Sequence, residues 1–248
     1  RASRGSAHDW PFPGQSLTVS AARLLTLTRL LQLASPALPV GAYTYSQGLE
    51  WAVESQVVRD EASSGRWIGD LLQLGIGRYE APLLAAALTA WTGADDATLN
   101  GLNARFLASR ETAELRAETV QMGYSLRRLA GELNDPALAP VVTWASSVPE
   151  VAYPVLWAGF AFAWSVDAPE ALAAYLWSWA ENQVLAALKA VPLGQAAGQR
   201  LLAQLGGCIP AVASQAAVLP ESDWCNLAPA FAIASSRHET QYSRLFRS

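Results

Sequence analysis

Apolar residues recur along most of this 248-residue chain at spacings of three and four, and they rarely alternate with period two. From Ala21 the leucines at 24, 25, 27 and 31 form such a stripe and predict a leucine-rich helix running into Ser35. Pro36 and Pro39 then forbid its continuation, because proline lacks the backbone donor and its ring crowds the preceding turn. Gly41 is free to take a positive φ. Tyr43, Thr44, Tyr45 and Ser46 lead from there into a second helix carrying Leu49, Trp51 and Val53, with Trp51 expected in the core. Prolines fix φ, so this break should be stiff and should present its polar groups reproducibly. A plain helix–helix connector fits the same residues.

The pattern continues in the same period. Asp60 can cap a helix reaching about Tyr79, with Trp67, Leu71 and Leu74 on one face. Residues 82–91 predict another, and Asp95-Asp96 opens one that turns Leu99, Leu102, Phe106 and Leu107 inward. Residues 109–133 form the one markedly charged helix, with Leu115, Thr119, Met122, Leu126 and Leu129 as its core stripe. Arg110 and Glu114 are spaced to pair, and Arg127-Arg128 sit where cations suit the helix dipole. Ser147-Val-Pro-Glu150 and Asp167-Ala-Pro-Glu170 read as capping boxes with a proline in the first turn. The first should open a helix that is apolar on every side (Trp157, Phe160, Phe162, Trp164), buried at the centre of the bundle and kinked at Pro154. The second carries Tyr175, Trp177 and Trp179 and is interrupted after Lys189 by Pro192 and Gly194. Residues 199–218 predict a last long apolar helix, bent near Gly206-Gly207 and Pro210, and 227–235 a short apolar segment. The expected fold is all-α: a single large multi-helix bundle with a buried apolar central helix. Residues 1–20 show no periodicity and are expected to be a disordered arm or a remnant of trimming. Residues 21–236 make the helical domain and 237–248 a tail.

Composition changes this picture in one respect. The chain is 52% hydrophobic and only 15% charged, against about 25% charged in an average domain. The surplus of apolar surface calls for a covering partner, and a homodimer is expected. A net charge of −4 argues against nucleic acid as the partner. Cys208 and Cys225 make no disulfide framework and fit a reducing compartment. Residues 151–166 are uncharged but short of the roughly 20 a membrane span needs. Residues 201–220 contain Gln204, Gly206, Gly207, Pro210, Ser214 and Gln215, so the reading is a soluble, cytoplasmic protein outside any membrane.

Candidate chemistry is sparse. His8 and His238 are the only histidines, too few for a histidine-built metal or proton-relay centre within one chain. Glu-x-x-His, phosphate-loop, GxSxG and GxGxxG patterns are absent. His238 beside Glu239 reads as a hydrogen-bonding contact. These residues predict a helical binding protein, not an enzyme, with no cofactor and no metal site of its own.

Three blocks carry a resemblance: residues 31–51 around Pro36-Ala-Leu-Pro-Val-Gly-Ala-Tyr-Thr-Tyr-Ser-Gln-Gly, Lys189-Ala-Val-Pro-Leu-Gly-Gln195, and Arg237-His-Glu-Thr-Gln-Tyr-Ser-Arg-Leu-Phe-Arg-Ser248. With the charged helix from Ser109 they resemble the urease accessory protein F family, UreF, over residues 21–248. Thr44 stands where the family has serine, a change that keeps a hydroxyl. The resemblance implies a non-enzymatic, all-helical, dimeric maturation factor. Such a protein binds a second accessory protein of the D or H type. With it, the factor recruits a GTP-hydrolysing accessory protein and helps deliver nickel to apo-urease. By this resemblance Tyr45, Ser46, Gln47 and Glu50 present polar groups towards the GTPase, and Lys189 reaches an acidic partner surface or is simply a solvated cation at a helix end. The tail, from Arg237 and His238, would dock on the other accessory protein through Tyr242, Leu245 and Phe246, flanked by Arg244 and Arg247. It is expected to be mobile alone, with the three apolar residues on one helical face when bound. Two other readings compete. One is a helical-bundle enzyme or ligand-binding protein with a buried apolar pocket lined by the ten tryptophans. The other is direct nickel carriage using Cys208, Cys225 or His238 at an interface.

Overall fold

Ser20 starts the first helix: its Oγ accepts the Arg23 N–H at 3.2 Å and satisfies a donor that the first turn leaves free. The computed structural model describes residues 20–248, and the expectation for the preceding arm lies outside the described residues. Helix α1 (Ala21–Ala34) ends at Ser35, ahead of the two prolines. A 3-10 turn (Ala42–Thr44) and a short helix α2 (Leu49–Glu54) follow. Asp60 caps α3 (Glu61–Asp70) in a reciprocal box with Ser63. The helix does not stop there. A π-helical stretch (Leu71–Glu80) passes directly into α4 (Ala81–Thr92). Then come α5 (Asp96–Ala108, capped by Asp95), α6 (Ala113–Glu132, capped by Thr112) and α7 (Ala139–Ser147). The chain continues with α8 (Tyr153–Ala163), α9 (Ala168–Ala190), α10 (Gln195–Val218) and α11 (Pro229–His238). Among the described residues there is no strand, and the fold is all-α.

Helix α8 has eight of its eleven residues buried, Trp157 and Phe160 among the largest fully enclosed side chains. It packs against α4, α6 and α7, while α9 and α10 form the longest helix pair of the bundle. Gly123 lets α6 approach the segment before α8: a Cβ there would lie 1.9 Å from the Val151 carbonyl oxygen. Because that obstacle is backbone, it cannot swing aside. Gly123→Ala should therefore lower the unfolding free energy by about 1–3 kcal/mol. The check is a shifted denaturant midpoint at unchanged slope.

Several sequence expectations are corrected here. Ser147 is the last residue of α7, its Oγ donating to the Trp144 carbonyl at 2.7 Å, so it does not cap the next helix. Helix α8 begins at Tyr153, which puts Pro154 in the first turn, where proline needs no donor and causes no kink. Asp167 stands at the N-cap of α9 but its side chain makes no capping bond, and Glu170 instead pairs with Arg23 of α1. Leu74 is exposed while Leu71 is buried, because the wider π turn rotates successive residues away from the 3.6-residue register. Trp51 is half-buried, and the inward positions of α2 are Leu49, Glu50 and Ala52. On α1 the leucine stripe faces outward: Leu24, Leu25, Leu27 and Leu31 are all exposed, and Leu33 is the buried residue. Helix α10 is long and apolar enough to cross a membrane, and here it packs along α9, α4 and α3.

Candidate functional site

The chemistry gathers where the helix break meets the end of the chain. Gln47 and Gly48 both take left-handed backbone conformations, with φ of 54° and 79°. Such a pair turns the chain sharply and leaves the N–H groups before it pointing the same way. The Ser46 and Gln47 N–H groups donate to the Ser248 carbonyl oxygen at 2.6 and 2.9 Å, and the Ser46 hydroxyl donates to it at 2.6 Å. Only glycine fits at 48. Besides its φ, an added Cβ would lie 2.9 Å from the Ser235 backbone nitrogen, so α11 crosses directly over this turn.

Glu50, in the first turn of α2, is buried and fully engaged. Its Oε1 accepts the Leu245 N–H at 2.6 Å and its Oε2 the Phe246 N–H at 3.0 Å. His238 Nε2 lies 3.4 Å from the same Oε2, and His238 Nδ1 lies 2.7 Å from Glu114 Oε2. Arg244 donates to the other Glu114 oxygen at 2.6 Å, and the Arg247 N–H to the Thr44 carbonyl at 2.8 Å. Residues 239–248 thus form a strap laid across α2 and α6. A buried carboxylate of this kind is tolerated because each oxygen has donors. Phe246 is the apolar anchor, buried beneath Lys189, whose Nζ stands 5.5 Å above its ring and 5.7 Å above the Tyr43 ring.

A second polar layer lies beneath. Glu118 on α6 is buried, accepting Gln47 Nε2 at 2.7 Å and the Ser248 hydroxyl at 3.0 Å. Burial is the main reason its carboxyl is pushed up to about 7, opposed by the hydrogen bonds from Gln47 and Ser248 and by Arg110, with the neighbouring Glu80 adding to the shift. Glu80, at the end of the π stretch, takes the Tyr175 hydroxyl and lies 3.6 Å from Arg110, and burial raises its carboxyl too. The Tyr45 hydroxyl is raised first by burial and then by the charge of Glu118. Gln47, Glu80, Arg110, Glu118 and Tyr175 border a cavity of about 80 Å³, room for a few water molecules. Among the described residues Trp179 is the one tryptophan that lines it.

Comparison with known proteins puts this site in a family. The UreF family model matches residues 58–206. The chain is 67% identical over 224 residues to the urease accessory protein UreF of Dechloromonas aromatica, covering 90% of this chain and 98% of that protein. The chain belongs to the UreF family. Identity to the UreF of Azoarcus is 61%, covering 93% of this chain and 99% of that one. A bifunctional urease accessory protein UreEF of Bordetella bronchiseptica is 48% identical over 90% of this chain, which spans 52% of its length.

In this UreF chain the residues expected at the site do come together, but in other roles. Tyr45, Ser46 and Glu50 are buried and hold the strap, so they do not themselves present polar groups outward. Gln47 is half-buried, its Oε1 accepting Trp179 Nε1 at 2.8 Å. The strap is a run of turns and bends and not a helix, so Tyr242, Leu245 and Phe246 do not share a face: Phe246 is buried, Tyr242 and Leu245 are exposed. The strap is seated on its own chain, where the sequence suggested a mobile segment. Helix spacing failed there because the Leu245, Phe246 and Arg247 N–H groups bond to Glu50 and the Thr44 carbonyl and not along the strap. Arg237, Arg244, Arg247 and Lys189 are exposed, and His238 is fully buried at the end of α11. Arg110 and Glu114, expected to pair, turn instead to Glu80 and to His238 and Arg244. Glu114 and Tyr175 were read from sequence only as an ion-pair partner and a helix aromatic, and Glu80 and Glu118 were not singled out. The one available signal was their position on apolar helix faces, where an acid is out of place. Cys208 and Cys225 carry free thiols, and among the described residues no three His, Cys, Asp or Glu side chains are placed to hold a metal ion.

Proposed function

We infer that this chain, a urease accessory protein by family, works as a recruiting scaffold in urease maturation. With a second accessory protein of the D or H type it recruits and regulates the GTP-hydrolysing partner that delivers nickel to apo-urease. It does so as a cytoplasmic homodimer and contributes no catalytic set of its own. The observation that carries this reading is the strap: fastened from below by Glu50, Ser46 and Glu118, it displays Tyr242, Leu245 and Arg247 beside Tyr43 and Lys189. Exposed aromatics among arginines are the residue types that anchor protein interfaces. The exposed leucines of α1 supply a second apolar face for the dimer mate or the other accessory protein. The competing ligand-pocket reading loses ground, because a cavity of about 80 Å³ is far below the ~300 Å³ of a small-molecule site.

The test uses the full chain with Tyr242 and Leu245 both changed to Ala. Neither side chain is buried, so the melting temperature should stay within about a degree while capture of the GTPase together with the other accessory protein falls at least tenfold. Capture at the unaltered level would remove the strap from the docking surface.

A further inference from the structure

The two carboxylates that seat the strap share a neighbour that belongs neither to the strap nor to their own helices. Glu50 lies on α2 and Glu114 on α6, and these helices pack on different partners: α2 on α9 and α11, α6 on α8, α7 and α5. Each acid turns an oxygen to the strap. Glu50 Oε1 accepts the Leu245 N–H at 2.6 Å, and Glu114 Oε1 accepts Arg244 at 2.6 Å. The second oxygen of each faces His238: Glu114 Oε2 lies 2.7 Å from Nδ1, and Glu50 Oε2 lies 3.4 Å from Nε2. Three consecutive strap residues, Arg244, Leu245 and Phe246, are therefore bonded to two acids that meet at one imidazole.

The ring is held from outside the strap. It is fully buried at the last residue of α11. That turn of helix is fixed on both sides. The Ser235 and Thr112 hydroxyls stand 2.8 Å apart, and Glu239 Oε1 accepts the Glu114 N–H at 3.2 Å. On the other side α11 crosses so close to Gly48 that a Cβ there would lie 2.9 Å from the Ser235 nitrogen. A glutamate side chain left unrestrained spreads over several rotamers. Without the imidazole the two carboxylates would face one another across the vacated volume, and Glu114, partly open to solvent, is free to turn outward.

We propose that His238 is a positioning residue for the recruiting surface: it sets the carboxylates of Glu50 and Glu114 in the arrangement that captures residues 244–246, and so ties the seating of the strap to the docking of α11. Its bearing on recruitment rests on the reading of the strap as a docking surface, whereas the interlock itself is a property of the isolated chain.

His238→Leu in the full chain removes both ring nitrogens and keeps apolar volume in the site. Hydrogen exchange at the Leu245 and Phe246 amides should accelerate at least about tenfold, while α8 and α9 keep their protection. The amides of α11, also held at Thr112 and Gly48, should change less than those of the strap. Unchanged exchange at Leu245 and Phe246 overturns the proposal. A loss across α11 as large as in the strap overturns it too, because the ring would then only pin α11. His238→Gln places an amide NH2 near the position of Nε2, beside Glu50, and should restore most of the protection at Leu245 and Phe246; a Gln variant no better than Leu contradicts the assignment. If the Leu variant fails to fold, His238→Asn takes its place, keeping a donor towards Glu114 and losing the one towards Glu50. Leu245 and Phe246 should then exchange faster in Asn than in Gln, and equal rates overturn the proposal. Capture of the GTPase with the other accessory protein is measured on the same variants. Capture that survives release of the strap removes the strap from the docking surface and leaves the interlock standing.

Discussion

Glu50→Ala is expected to release the strap. The substitution removes the acceptor for two backbone N–H groups, Leu245 and Phe246, and one neighbour of the buried His238. Hydrogen bonds to a charged acceptor are worth about 1.5–3 kcal/mol each, so the two together place the loss at roughly 3–6 kcal/mol of strap seating. Two N–H groups that are desolvated against α2 would be orphaned, and the strap lifts to rehydrate them. Phe246 leaves its pocket under Lys189, and the Ser46 and Gln47 N–H groups lose the Ser248 carbonyl. The measurement is amide exchange over residues 239–248, which should approach unprotected rates while α8 and α9 keep their protection. Persistent protection at Leu245 would mean that Phe246 packing alone seats the strap. Glu50→Gln retains one acceptor oxygen and should fall between the two.

Trp157→Ala is expected to cost the fold about 3–5 kcal/mol, because the ring is fully enclosed and meets Tyr175 edge-on at 5.2 Å. Its Nε1 has no hydrogen-bond partner although it is buried. Trp157→Phe removes that unsatisfied donor along with part of the packing, so it should cost clearly less than Ala. Denaturant titration of the three proteins separates the terms. A Phe variant as unstable as the Ala variant would show that ring volume, not the idle donor, decides the site.

Local signals in the sequence were readable at some helix starts and misleading at others: Ser147 and Asp167, read as caps, make no capping bond. Asp60 and Asp95 each cap the helix that follows them through their own side chains, whereas the charged helix, read from Ser109, starts only at Ala113 with Thr112 as its cap. The break at Pro36 and Pro39 was equally plain, since proline excludes the helix regardless of surroundings. The π stretch was not readable: its residues are ordinary helix formers, and only the displaced Leu74 betrays the change of register. Helix α1 has leucines on several sides, so periodicity could mark a stripe without saying that Leu33 faces the core and Leu24 solvent. The strap was hidden for a different reason. Glu50 meets Phe246 across 196 residues and Gln47 meets Glu118 across 71, distances over which residue spacing carries no pairing information. The blocks of residues that carry the family resemblance lie together in the structure: most of the polar groups of the break hold the strap, and the strap carries exposed side chains.

The measurement closest to the central claim is oxidative footprinting of the full chain, alone and in complex with the GTPase and the other accessory protein. Tyr242 and Tyr43 are exposed and reactive reporters on the strap face, and Leu24, Leu27 and Leu31 report on α1. The recruiting account predicts strong protection of Tyr242, Leu245 and Tyr43 when the GTPase joins. Unchanged labelling of those three, with protection confined to the leucines of α1, would contradict it and leave the strap a purely internal fastening.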